Sequence, residues 1–149
     1  MNQTINTWLL VIYSLLLTGC SNAAINIQFQ PSAWLNPDQR KQSLPVMVKL
    51  YQLRDDNTFS QATFWELWKN DQITLGHSLI GRREITIAPN MPVEVRLARH
   101  SDAYYLGIIA IFRRPKNQDW RIVSKLPVVR VLVPIHLKIK LVGEKISIM

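Results

Sequence analysis

An all-β chain folded as an antiparallel sandwich, with one short helical insertion, is the class predicted by this sequence. Three observations lead there. Ile25, Ile27 and Phe29 alternate with Asn26, Gln28 and Gln30, the period of a half-buried strand. Strand-length apolar runs then recur along the chain, separated mostly by short turn-rich pieces. Between Thr58 and Gly76 the alternation stops, and Phe59, Phe64, Trp65, Leu67 and Trp68 stand in a polar background. Size agrees: of 149 residues, the first 19 carry no Asp, Glu, Lys or Arg, and the remainder has the length of one ordinary domain. With 48% hydrophobic and 19% charged residues, disordered and low-complexity classes are excluded.

In chain order, Trp8 to Leu17 is an apolar run that as a helix covers about 15 Å, half the hydrocarbon core of a bilayer. It reads as the hydrophobic region of an export signal, residues 1–19, and not as a membrane span. Leu17-Thr18-Gly19-Cys20 resembles the lipobox of bacterial lipoproteins, in which the cysteine is acylated and becomes the new amino terminus. Met1 to Thr7 departs from the pattern by lacking Lys and Arg. Cys20 is the only cysteine, so an internal disulfide and a CxxC site are both excluded. The other reading of Cys20 is a free thiol left by cleavage elsewhere, a liability in an oxidising compartment. In lipoproteins, Ser at the next position, here Ser21, favours the outer membrane.

The body follows as residues 20–149. The first strand, from Ile25, is expected to close at Pro31, which opens an irregular segment, residues 31–44, containing Trp34, Leu35 and Asn36-Pro37-Asp38-Gln39-Arg40-Lys41-Gln42. It exceeds a hairpin loop in length, and is either a binding element or a surface connection. Pro45 to Leu53 carries Val46, Val48 and Leu50 on one face, and Met47, Lys49 and Tyr51 on the other. Asp55-Asp56-Asn57 reads as a turn into the insertion, which spans about residues 58–76; it lacks the glycine and distal glutamate of a calcium loop. Thr63-x-x-Glu66 matches a capping box and predicts a helix from Phe64 to Asn70, with another turn near Ile73 to Leu75 ended by Gly76. Trp65 and Trp68 share a face of that helix and are expected to seal it against the sandwich. Further strands are expected at Arg83 to Ala88, Val93 to Ala98, Tyr104 to Arg113, Trp120 to Ser124, Val128 to Val133 and Ile135 to Leu141, with a short last one from Lys145 to Met149. Pro134 marks a break or an edge, since proline donates nothing to a ladder.

Catalytic and metal signatures are missing. His77, His100 and His136 lie more than 20 residues apart, and GxSxG, Walker A, GxGxxG and HExxH do not occur. The net charge of +8 is compatible with an anionic partner, but an exported chain is a poor candidate for nucleic acid. Arg82-Arg83, Arg113-Arg114-Lys116 and Lys138-Lys140 are small clusters that read as a solvated face. A periplasmic binding module for a small apolar or anionic ligand and a hydrolase stay open from these residues. The first needs a cavity between the sheets, the second a convergence of titratable groups.

Pro45 to Leu53, with Phe59 and Phe64-Trp65-Glu66-Leu67, and Tyr105 to Arg113 followed by Trp120-Arg121, resemble the TssJ family of type VI secretion lipoproteins in order and spacing, as far as about Pro127. The resemblance implies a transthyretin-like β-sandwich anchored at the periplasmic face of the outer membrane, with no enzymatic activity and no cofactor beyond the covalent lipid on Cys20. It implies a place in a membrane core complex with other subunits, and binding of the periplasmic C-terminal region of TssM through the loop between the first two strands. That loop falls on residues 31–44: Asn36, Pro37 and Asp38 match best, while Gln39, Arg40, Lys41 and Gln42 are placed by position.

Overall fold

The computed structural model describes residues 23–128 and 133–149. The signal segment, Cys20 and Ser21, and most of the strand expected from Val128 to Val133, lie outside the described residues. Among the described residues, eight strands form two four-stranded sheets. One runs in the order β4 (Val93–Ala98), β1 (Ala24–Leu35), β7 (Ile135–Gly143), β8 (Lys145–Ile148); the other runs β3 (Leu79–Ile87), β2 (Val46–Leu53), β5 (Tyr105–Ile111), β6 (Arg121–Lys125). The sandwich is all-β with a small helical addition, and all but one of its strand pairs are antiparallel. The exception is β1 with β7, which run parallel with Ile25 opposite Ile135 and Phe29 opposite Ile139. A parallel pair needs a long crossover, and here five strands intervene.

Pro31 does not end the first strand. The last pair between β1 and β4 is Phe29 with Val93, so Pro31 lies where β1 has a neighbour on one side only and the ladder tolerates a missing N–H. The strand continues along β7, through a register shift, to Leu35. The irregular segment is therefore shorter than residues 31–44 and begins at Asn36.

The space between the sheets is filled. Ile25, Ile27 and Phe29 of β1, Val46, Val48 and Leu50 of β2, Leu106 and Ile108 of β5, and Ile139 and Leu141 of β7 are all buried in one core. A second layer covers the opposite face of the β2 sheet. There α1 (Asn57–Gln61), α2 (Phe64–Lys69) and α3 (Asp71–Leu75) lie over Lys49, Tyr51 and Leu53 and bury Phe59, Phe64, Leu67 and Leu75. Strand β2 is thus covered on both faces, although its alternating sequence reads as half-exposed.

The capping box sets the start of α2: Thr63 Oγ1 accepts from the Glu66 N–H at 3.3 Å, and Glu66 Oε2 accepts from the Thr63 N–H at 2.7 Å. The Thr63 N–H first, and the Thr63 hydroxyl, which donates to the same Oε2 at 2.8 Å, second, hold the Glu66 carboxyl below its usual range. Gly76, at φ +48°, ends α3 in a conformation that favours glycine. Helix α1 was not expected; it starts after Asp55 Oδ1 accepts from the Asn57 N–H at 3.2 Å.

Candidate functional site

The irregular segment is a built loop. Asn36, at φ +45°, is buried and satisfied on all sides: its N–H donates to the Gly143 carbonyl at 2.7 Å and its Nδ2 to the Pro45 carbonyl at 2.9 Å, while Oδ1 accepts from the Arg113 N–H at 2.9 Å. One residue thereby stitches the end of β1 to the start of β2, the end of β7 and the connection after β5. Asp38 shapes the outer turn, with Oδ1 accepting from the N–H groups of Arg40 and Gln42 at 2.8 Å each. The Asp38 N–H donates to the Gln42 carbonyl at 2.9 Å, and Lys41 turns back at φ +62°.

The seven expected contact residues therefore separate. Asn36 and Pro37 are buried beneath the loop and hold it; Asp38 is half-buried and folds it; Gln39, Arg40, Lys41 and Gln42 form its exposed surface. The Asn36 bond to Arg113 also brings the Arg113–Asp119 connection to the same end. There Glu144 accepts from Arg114 at 3.1 Å and lies 3.4 Å from Lys116 Nζ. The sequence shows Arg113-Arg114-Lys116 as a basic cluster; what it does not show is that β5 ends beside the loop.

Beneath the helical layer, the buried Lys49 finds an anion. Its Nζ donates to Asp71 Oδ2 at 3.1 Å and to the Trp68 carbonyl at 2.8 Å, with Glu84 at 3.6 Å. Asp71 also accepts from the Tyr51 hydroxyl at 3.0 Å and from Arg82 at 2.9 Å. Burial pushes the Tyr51 phenol far above its usual range, and the Asp71 charge adds to it, so the hydroxyl keeps its proton and donates. Across the sheet, Arg121 donates to the carbonyls of Phe59, Ala62 and Ser60 at 2.7, 2.7 and 2.6 Å, closing the end of α1. Burial lowers the pKa of that guanidinium. These groups fasten the insertion to the sheet.

Of the two tryptophans of α2, Trp68 packs against the core as expected and Trp65 departs from expectation. Trp68 is partly buried, but Trp65 is 61% exposed and stacks on it at 4.9 Å between centroids, because Phe64 and Leu67 take the inward face of α2. Histidines do not converge: His77, His100 and His136 are all exposed. Among the described residues, no three His, Cys, Asp or Glu side chains come together as a metal group, and no helix is long and apolar enough to cross a membrane.

A family model described as type VI secretion lipoprotein, VasD, EvfM, TssJ, matches residues 23–144. The chain belongs to this family. The T6SS lipoprotein TssJ1 from Pseudomonas aeruginosa, at 28% identity, superposes with a TM-score of 0.78 over 86% of this chain and 95% of that one. Lip from Serratia marcescens, a membrane-bound component of the type VI secretion system, gives 21% identity and a TM-score of 0.79 over 86% and 96%. A chain of the structure described as the T6SS protein TssM C-terminal domain from EAEC gives 20% and 0.73 over 85% and 97%. The last two show the shared fold. No curated protein matches by sequence. As TssJ-family proteins are structural lipoprotein components of a secretion system, the chain is a membrane-associated component and not an enzyme.

Proposed function

We propose that this TssJ-family chain is an outer-membrane tether of the type VI membrane core complex. Lipid on Cys20 holds the sandwich to the inner leaflet, and the loop following β1 binds the periplasmic C-terminal region of TssM. One observation carries this reading: β1 begins at Ala24, four residues after Cys20, and ends at Leu35, where the loop starts. At about 3.3 Å per residue, its 12 residues set the anchor-proximal start of the strand and the loop about 40 Å apart on one hydrogen-bonded strand. From Ala24 to the loop, load passes along a sheet. The bonds from Asn36 and Asp38 fix the loop before any partner arrives, so binding orders little chain. A chain of this fold in the structure described as TssM C-terminal domain, and another in one described as a type VI membrane complex, support the choice of partner.

The test uses the full acylated chain in detergent, titrated calorimetrically with the periplasmic C-terminal domain of the cognate TssM. Replacing Gln39, Arg40, Lys41 and Gln42 together by Ala is expected to weaken binding at least tenfold while leaving the unfolding midpoint nearly unchanged. Binding at full strength by that variant refutes the site. A Cys20→Ser form in the soluble periplasm that still supports normal secretion refutes the tether.

A further inference from the structure

The end of the sandwich at which β1 begins gathers an apolar rim. Hydrogen bonds define that end: the Arg99 N–H donates to the Ala23 carbonyl at 3.0 Å, the Leu126 N–H to the Tyr104 carbonyl at 2.7 Å, and the Arg99 guanidinium to the Pro127 carbonyl at 2.7 Å. Strand β7 runs parallel to β1 from Ile135, opposite Ile25, so Val133, two residues before β7 begins, enters from the same end. Tyr104, Val128 and Val133 are exposed, at 44, 69 and 63%. Lys125 and His136 stand exposed beside them, and Asp102 lies 3.8 Å from Arg54 at the same end. Single exposed valines need no explanation; what sets these apart is where the chain goes next. Cys20 lies three residues before Ala23. Even fully extended, at about 3.5 Å per residue, its α-carbon stays within about 11 Å of this end.

With Cys20 acylated, this end of the domain stays close to the lipid headgroups. Tyrosine, with an apolar ring and a polar tip, is the side chain suited to that layer. We infer that this end of the domain is a membrane-contact surface, with Tyr104, Val128 and Val133 in the headgroup layer of the bilayer that holds the lipid. The inference rests on the reading of Cys20 as acylated.

Because Cys20 is the only cysteine and acylation blocks its thiol, an introduced cysteine provides a single labelling site. Full acylated chains carrying Tyr104→Cys, Val128→Cys, Val133→Cys or, at the far end, Gln39→Cys are labelled with a nitrobenzoxadiazole dye. They are then reconstituted into phosphatidylethanolamine–phosphatidylglycerol vesicles containing a headgroup nitroxide lipid. The three labels at the anchor end are expected to shift to the blue and to be quenched several-fold more than the label at Gln39. Equal quenching at all four positions, in protein whose intact mass carries lipid on Cys20, overturns the contact surface and leaves the anchor standing. An intact mass without lipid overturns the anchor itself, and the orientation with it.

Discussion

Asp71 is a carboxylate that the fold buries and then surrounds with donors. Burial by itself raises its pKa; the hydrogen bonds from Lys49 and Tyr51, and the charges of Lys49 and Arg82, outweigh this and hold it below the usual value of 3.8. A group so depressed contributes its stability in full above the unfolded pKa and loses it as the pH falls through the folded one. Asp71→Asn removes the anion but leaves Lys49 buried, a loss expected to cost about 3 kcal/mol at neutral pH. As the pH falls below about 4 the unfolded chain's carboxyl takes up a proton while the native one, held lower, still resists it, so the difference between the two proteins should narrow. Urea unfolding of both at pH 7 and near pH 3 checks this; an equal gap at the two pH values would mean that the charge is not what Asp71 supplies. The sequence displays Lys49 on the outer face of a strand, where a solvated lysine is the ordinary expectation. Nothing local reveals the helical layer that covers it. By contrast, Thr63 and Glu66 were legible as a capping box because both partners lie within one turn.

At the scale of elements, the helical layer packs tightly at one point. Gly107 of β5 lies beneath Phe59 of α1, and a Cβ built on it falls 2.8 Å from Phe59 Cε2 and 3.1 Å from Leu53 Cδ1. Gly107→Ala is therefore expected to push α1 from the sheet and destabilise the domain by about 1–3 kcal/mol. Phe59→Leu in the same chain should recover part of that loss, because a leucine vacates the volume of the ring edge. A double-mutant cycle measured by thermal unfolding reads the coupling, and strictly additive effects would place the strain elsewhere. Local patterns located α2, α3 and most strands to within a few residues, with Val93–Ala98 falling on its expected bounds. The error at Pro31 has a physical cause: proline ends a strand only where a neighbour needs its N–H, and the β4 partner had already stopped at Val93. Whether a strand has one neighbour or two is a non-local property. The parallel pairing of β1 with β7 was illegible for the same reason.

At the scale of the molecule, the loop end carries cations that the fold leaves unpaired among the described residues. The loop end presents Arg40, Lys41 and Arg113 as exposed cations without an acidic partner among the described residues, while Arg114 and Lys116 share Glu144. An anchored tether meets its partner by lateral and rotational search near a membrane, and a cationic end steers an acidic surface toward the correct face. Since exposed charges are screened within about 8 Å at physiological salt, the effect belongs to the rate of association. Association of the acylated chain with the TssM C-terminal domain is expected to slow several-fold as sodium chloride is raised, with little change in dissociation. Arg40→Glu with Lys41→Glu should slow it at low salt and flatten the salt dependence. Stopped-flow mixing across a salt series separates the two rates. If the double variant associates as fast as the native chain at low salt, loop charge does not guide the encounter, and recognition would have to rest on the shape that Asn36 and Asp38 impose.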